Sequence, residues 1–104
     1  MADYFLVTVA RGPAWDPARS RRTQAGWDEH AAFMDALTAE GIVVLGGPVS
    51  EGHDDRVLLV LDVPSEGAAR AVLAPDPWAR TVLTIASIEP WSVWLRAPAR
   101  RDRH

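Results

Sequence analysis

The sequence predicts a single α+β domain, in which two helices cover one face of a four-stranded antiparallel sheet. The chain has 104 residues, enough for one domain. It is 48% hydrophobic and 24% charged, as is typical of folded globular proteins. Short apolar segments and helical patterns follow one another in the order β-α-β-β-α-β. In so short a chain, the most economical arrangement of this order is a split βαβ sheet with the first and third strands at its centre.

The first half of the chain contains two predicted strands that flank a helix. Apolar, β-prone residues 4–10 predict the first strand, and residues 11–23 predict a long loop. Residues 24–40 predict a helix that ends at Gly41, the residue that follows its C-cap. Residues 42–49 predict the second strand, which ends in two glycines and a proline.

The second half repeats the pattern with a strand, a helix and a strand. Residues 56–63 predict the third strand, and residues 64–73 predict the second helix, with Ser65 as its N-cap. Residues 81–95 predict the last strand. Pro90 within it indicates an edge position or a bulge, because proline cannot donate a hydrogen bond to a neighbouring strand.

Charge is unevenly distributed along the chain. The formal net charge is −3, yet residues 96–104 contain four arginines and one aspartate. Residues 1–95 therefore carry −6, from seven arginines and thirteen acidic residues. We expect a folded domain over 1–95 and a basic, disordered tail over 96–104. The acidic body argues against nucleic acid as a partner.

The residue types that are missing exclude several function classes. The chain has no cysteine, which excludes disulfides, thiol catalysis and cysteine-bound metals and favours a cytoplasmic location. No histidine spacing typical of a metal site occurs, so we expect no metal. The residues after Met1 do not resemble a secretion signal, and no apolar segment approaches the ~18–20 residues that cross a bilayer, so we expect no membrane association.

Two of the predicted strands are apolar on both faces. Residues 57–61 are apolar in succession, and residues 4–7 are similar. Such runs indicate strands that are covered on both sides, whereas two helices cover only one. Burying a face of several hundred Å² on each chain contributes on the order of 10 kcal/mol before association costs. We therefore expect a homodimer that packs sheet face against sheet face.

His30 is the most informative residue. On a helical wheel, Trp27, Phe33, Met34 and Leu37 form an apolar arc, and His30 lies near its middle. A buried imidazole needs a polar partner. One interpretation is a core histidine bonded to a backbone carbonyl. The other is a base at the floor of a pocket.

Asp76 is the candidate partner of His30. It lies between Pro75 and Pro77, which stiffen the backbone, and Trp78 follows. An aspartate in this context is commonly a turn or capping residue. If the turn faces the first helix, Asp76 could instead bind and orient the imidazole ring.

Aromatic, glycine and arginine residues are candidates for lining a pocket. Tryptophans suit a planar ligand, paired glycines allow close approach, and arginines of the loop could bind a carboxylate. The alternatives are ordinary core packing, a strand terminus and a solvated loop. The candidates are Trp27, Phe33, Gly46, Gly47, Pro48, Trp78, Trp91 and Arg19, with Arg21 and Arg22 beside the last.

Four segments together resemble the YciI-like (YCII-related) family over roughly residues 3–95. They are WDEHAAFMDALTAEGIVVLGGPV, RVLLVLDV, DPWA and IEPW. The resemblance implies a ferredoxin-like fold of the dimeric α+β barrel type. It also implies a His–Asp active site, which matches His30 and Asp76. Several members carry arginine three residues before the histidine, and that arginine implies a site for a substrate anion. This chain has Trp27 at that position, so Arg19, Arg21 or Arg22 would have to take the place of the arginine.

Two function hypotheses follow. The first is an enzyme without a cofactor that abstracts a proton from a small metabolite, aromatic compounds included, in an elimination (lyase) or isomerisation. His30 would be the base and Asp76 would orient it. The resemblance adds that a few relatives act as dehydrochlorinases or lyases on hydroxylated aromatic compounds. The second hypothesis is a non-catalytic homodimer that binds a small molecule or serves as an accessory protein.

Overall fold

The computed structural model describes residues 2–50 and 56–98 and contains the predicted order of elements. The elements are β1 (Tyr4–Arg11), one turn of 3₁₀ helix (Arg21–Thr23), α1 (Trp27–Ala39), β2 (Val43–Pro48), β3 (Val57–Leu61), α2 (Glu66–Leu73) and β4 (Leu83–Trp91). The strands form one antiparallel sheet in the order β2-β3-β1-β4. The predicted α+β, ferredoxin-like fold is confirmed, with β1 and β3 at the centre of the sheet.

The two faces of the sheet follow from its register. Val7 pairs with Leu59, and both belong to the core cluster, together with Leu37 of α1 and Leu73 of α2. We call this side the helix-covered face. Successive side chains of a strand point to opposite sides, so the residues between these core positions lie on the other side, which we call the second face. Its members on the central strands include Leu6, Thr8, Leu58 and Val60.

Glycine and serine set the helix ends near the site. The helix predicted over 24–40 begins at Trp27, because Gly26 has a left-handed φ of 82° and serves as the N-cap. Gly41 ends the helix with a φ of 79°, as predicted. The Ser65 hydroxyl accepts a hydrogen bond from the Ala68 amide at 3.0 Å, so its predicted N-cap role is also confirmed.

The last strand is shorter than predicted at both ends. The expectation was residues 81–95, whereas β4 runs from Leu83 to Trp91. Before it, the Leu83 amide donates to the Trp78 carbonyl and closes a turn. After Trp91, the Val93 amide donates to the Asp3 carboxylate, so the backbone leaves the sheet. β4 is an edge strand, as its proline predicted, and its register shift lies opposite β1 between Ser87 and Ile85.

Two segments of the chain lie partly or wholly outside the described residues. Residues 99–104 of the expected tail are outside them. The Arg96 guanidinium, at the start of that tail, donates to the Tyr4 hydroxyl at 2.8 Å. Residues 51–55, which contain His53, are also outside the described part of the chain.

Candidate functional site

The structure brings His30 and Asp76 together across 46 residues of sequence. His30 Nδ1 lies 2.8 Å from one carboxylate oxygen of Asp76 and 3.0 Å from the other. His30 is 9% exposed, and it lies on the apolar stripe of α1 where the helical wheel predicted it. Both side chains are almost entirely removed from solvent. A buried imidazole therefore has the polar partner that its burial requires.

The turn between α2 and β4 holds the Asp76 carboxylate in place. The Asp76 amide donates to the Leu73 carbonyl at the end of α2. The Asp76 Oδ1 atom also accepts from the Trp78 amide at 2.9 Å, which closes an Asx turn. Asp76 thus has both of the roles considered for it, since it fixes its own turn and binds the imidazole. The two flanking prolines limit the backbone conformations that compete with this geometry.

Trp78 fixes the plane of the imidazole ring. The ring centroids of His30 and Trp78 lie 4.1 Å apart, and the rings are 10° from parallel. Trp78 is 1% exposed, and its indole N–H donates to the Ala25 carbonyl at 2.7 Å. A Cβ on Gly26 would lie 3.1 Å from that indole nitrogen, so this position favours glycine for space as well as for its φ. The start of α1 and the turn before β4 are therefore joined through Trp78.

His30 and Asp76 line a cavity of about 500 Å³ between α1, the preceding 3₁₀ turn and the helix-covered face. Much of its wall is aliphatic, contributed by both the sheet and α2. These wall residues include Val9, Val43, Val57, Leu59, Leu73, Leu83 and Ile85. A mainly apolar cavity with a few polar groups is typical of small-molecule sites.

The geometry determines which nitrogen of His30 is available for chemistry. A carboxylate accepts hydrogen bonds, so the neutral imidazole carries its proton on Nδ1 and donates it to Asp76. Nε2 then carries the lone pair, and it makes no hydrogen bond to any described residue. If Nε2 takes up a proton, the adjacent carboxylate stabilises the imidazolium that forms. The arrangement is suited to accepting a proton from a bound molecule.

The predicted pocket residues divide into two groups. Trp27, Gly46, Gly47 and Pro48 line the cavity. The other candidates lie outside its lining. Trp78 lies behind the imidazole, and Phe33 packs against the core from α1. Trp91 pairs with Tyr4 at the end of the sheet and is 44% exposed, whereas the rings of Trp27 and Trp78 lie 5.7 Å apart.

The two cavity glycines differ in their surroundings. A Cβ on Gly46 would lie 2.7 Å from the Leu59 side chain and 2.9 Å from the Leu58 carbonyl. A Cβ on Gly47 would meet nothing within 4 Å. Gly46 is therefore required by the close approach of β3. The strand ends in two glycines and a proline, as predicted, and both glycines pair with β3.

Arg21, rather than Arg19, lies at the cavity. Arg19 is exposed, 3.7 Å from the Asp16 carboxylate, and donates to the Thr23 carbonyl. Arg21 is half-buried and lines the cavity. Burial lowers the pKa of the Arg21 guanidinium, and the positive charge of Arg11 lowers it further. The group still remains protonated at neutral pH.

Gln24 is a structural residue that sequence reasoning missed. Its side chain is buried and accepts from the Asp16 amide at 3.0 Å. It also donates to the Asp16 carbonyl at 2.8 Å and to the Arg19 carbonyl at 3.1 Å. Gln24 thereby holds the loop before α1 and places Arg21 near the cavity. No local sequence pattern marks a glutamine that bonds to backbone eight residues away.

The described residues contain no group of three or more histidine, aspartate or glutamate side chains that could hold a metal ion. None of the helices in the described ranges is long and apolar enough to span a bilayer.

Comparison with known proteins identifies one family. The family model of the YCII-related domain matches residues 6–92, which include α1, the glycine pair and the turn that carries Asp76. The search of curated proteins gives no match.

Proposed function

The chain belongs to the YCII-related domain family, and from its site geometry we propose that it is an enzyme that abstracts a proton from a small ring compound. His30 is the general base and acts through Nε2. Asp76 orients the ring and stabilises the imidazolium. The observation that carries the proposal is the pairing of Nδ1 with both Asp76 oxygens at 2.8 and 3.0 Å, in a residue that lines a mainly apolar cavity.

The proposed step is an elimination or an isomerisation. Nε2 takes a proton from a carbon beside an electron-withdrawing group. The electron pair of the broken C–H bond then either expels a leaving group from the neighbouring atom or moves a double bond. In an isomerisation, the imidazolium returns the proton to a different carbon. A positioned base of this kind contributes about 10²–10⁴-fold to the rate.

The cavity suits a flat, largely apolar substrate. Trp27 supplies an aromatic wall, and Leu59, Leu83 and Ile85 supply aliphatic ones. Its volume of about 500 Å³ lies within the range typical of small-molecule sites.

A non-catalytic binding protein is the second candidate. It is favoured because the contacts of His30 and Asp76 also stabilise the fold. Asp76 closes its own turn through the Trp78 amide while it binds His30, so the pair fastens α1 to the turn before β4. A purely structural pair would keep these contacts without any proton transfer.

Homodimerisation through the second face is part of the proposal. Leu6 and Leu58, both half-buried, give this face an apolar centre, and Leu45 is 64% exposed on its β2 edge. Trp94 and Leu95 follow β4 and are 91% and 92% exposed. Apolar surface of this extent is uncommon on monomers. A cytoplasmic location, expected from the composition, remains a prediction.

The test uses a nitrobenzisoxazole, a generic probe of proton abstraction. A base removes its single ring C–H proton, the N–O bond breaks, and a coloured cyanonitrophenolate forms. We expect the protein to accelerate this elimination relative to free imidazole at the same concentration, and His30→Ala to abolish the acceleration. Asp76→Asn should lower the rate by about tenfold or more, because it removes the charge and places an amide N–H beside Nδ1.

Glu29→Gln is the matched control, since Glu29 is exposed on the same helix and does not line the cavity. It should retain the full rate. Circular dichroism checks that each variant is folded. A folded His30→Ala variant with the wild-type rate would refute proton abstraction by His30. A wild type no faster than free imidazole would favour the binding protein.

A further inference from the structure

We propose that the C-terminal arm of one protomer closes the cavity of a second copy of this chain. The arm consists of residues 92–98, which follow β4, and its apolar tip is Trp94 and Leu95. The inference rests on the homodimer of the proposed function, and it adds a contact that packing of sheet face on sheet face does not require. It makes the partner's arm part of the site that contains His30 and Asp76.

Two contacts fix the arm on either side of its tip. The Val93 amide donates to the Asp3 carboxylate at 2.8 Å, and the Arg96 guanidinium donates to the Tyr4 hydroxyl at 2.8 Å. The guanidinium carbon of Arg96 also lies 5.4 Å from the centroid of the Tyr4 ring. Between these two contacts, the two residues of the tip are 91% and 92% exposed. The tip is therefore held in place without being buried by its own domain, which is a feature of association surfaces.

A second exposed apolar patch lies on the opposite edge of the sheet. Within the described ranges, the exposed large hydrophobic residues are Val44 and Leu45 of β2, Trp91 at the end of β4, and the tip. The strand order β2-β3-β1-β4 places two central strands between the β2 patch and β4, about 14 Å at the usual strand spacing. The tip and the β2 patch are therefore apart in one chain and meet between two copies. Two-fold symmetry gives two such contacts and a closed dimer.

The β2 patch borders the open side of the cavity. Asp35 and Thr38 of α1 and Leu45 and Gly46 of β2 line the cavity and are exposed, so the cavity opens to solvent between these two elements. A tip that packs on Leu45 lies across this opening and buries apolar surface on both chains. It also excludes water from the cavity, which strengthens the charge interactions inside it.

The charges of the two surfaces are complementary. α1, which packs beside β2, contains no arginine, and its surface and C-cap carry four exposed acidic residues that form no ion pair with any described residue. They are Asp28, Glu29, Asp35 and Glu40. By contrast, residues 96–104 contain four arginines and one aspartate. This complementarity favours a second copy of the chain as the occupant, because opposite charges steer association and disfavour other orientations.

The chain has no cysteine, so the contact can be tested by crosslinking introduced thiols. Chains with Leu45→Cys and chains with Leu95→Cys are co-expressed, purified and treated with bismaleimidoethane, a short crosslinker of thiols. We expect a covalent heterodimer on a denaturing gel and none from either variant alone. Ala71→Cys, co-expressed with Leu95→Cys, is the matched control and should give no crosslink, because Ala71 is exposed on α2, which packs on the β4 side of the fold.

A second measurement reports whether the tip covers the cavity. The Leu45→Cys thiol should react with Ellman's reagent about tenfold faster or more when Trp94→Ser and Leu95→Ser are added, because the thiol is then accessible. The Ala71→Cys thiol should react at the same rate with and without the two serines. Both serines replace exposed residues, so we expect the fold to be retained.

Three results would overturn the inference. They are no crosslink between the co-expressed Leu45→Cys and Leu95→Cys chains, crosslinking of Leu95→Cys chains to one another with equal efficiency, and a Leu45→Cys reactivity that the serines leave unchanged. If the wild type sediments as a dimer and the co-expressed chains do not crosslink, the arm contact is wrong and the sheet-packed dimer remains. If the chains crosslink and the wild type does not accelerate the elimination, this inference is retained and the proposed proton abstraction is lost.

Discussion

The two faces of the sheet are built from the same strands, but their surroundings differ completely. On the helix-covered face, Val7, Leu59 and Leu61 are buried beneath the helices, and a buried His–Asp pair lies beside a cavity. On the second face, no described helix packs over Leu6 and Leu58, which alternate with those core residues. Apolar side chains alone therefore do not distinguish the core from a face that no described helix covers.

Substitutions of a core tryptophan and of an exposed tryptophan at the end of the sheet should differ most in their effect on stability. Trp78→Ala removes a fully buried ring that stacks on His30, and it should lower the free energy of unfolding by about 3–5 kcal/mol. Trp91→Ala removes a ring that is 44% exposed, and it should cost about 1 kcal/mol or less. Urea denaturation of both variants measures the difference. Equal losses would mean that the two rings are equally part of the core.

A charge on the second face should break association. Leu58 lies at the centre of β3 and is half-buried on this face. Leu58→Asp would bury a carboxylate in the proposed interface, which costs several kcal/mol, and should weaken dimerisation by about 10²-fold or more. Analytical ultracentrifugation at micromolar concentration should show a wild-type dimer and a monomeric variant. A wild type that sediments as a monomer would contradict the dimer.

The adjacent glycines of β2 provide a smaller and closely matched comparison. Gly46 pairs with Leu59 of the helix-covered face, and Gly47 pairs with Leu58 of the second face. Gly46→Ala should destabilise the fold by about 1–3 kcal/mol, because its Cβ would lie 2.7 Å from the Leu59 side chain. Gly47→Ala should change stability by about 0.5 kcal/mol or less. Thermal unfolding measures the stability of both variants. A larger loss of stability for Gly47→Ala would show that the close approach of β3 to Gly46 does not determine where β2 tolerates a side chain.

Much of the fold could be predicted because its signals are local. The apolar stripe of α1, the left-handed glycine at its end and the serine cap of α2 each depend on residues a few positions apart. The element ends were less predictable, because they depend on distant partners. Gly26 starts α1 three residues late in part because Trp78 lies against it, and β4 ends at Trp91, where Asp3 binds the departing backbone.

The site itself was predictable only in outline. His30 was identifiable from its position among apolar neighbours, and Asp76 from its rigid turn, yet no local pattern could give the 2.8 Å contact between them. The stack of Trp78 on the imidazole joins segments far apart in sequence, and the Gln24 side chain bonds to backbone eight residues away. The sequence analysis put Arg19 first among the loop arginines at the pocket, whereas Arg21 lines the cavity. The direction of a loop arginine depends on contacts that no local pattern shows.

The central claim is that His30 holds its proton on Nδ1 and offers Nε2 to the cavity. The nitrogen NMR spectrum of the imidazole, recorded on labelled protein at mildly alkaline pH, tests this claim most directly. It should show Nδ1 as the protonated nitrogen and Nε2 as the unprotonated one, and Asp76→Asn should disturb this assignment. A spectrum with the proton on Nε2 and a lone pair on Nδ1 would contradict the account, because the base would then face away from any bound molecule.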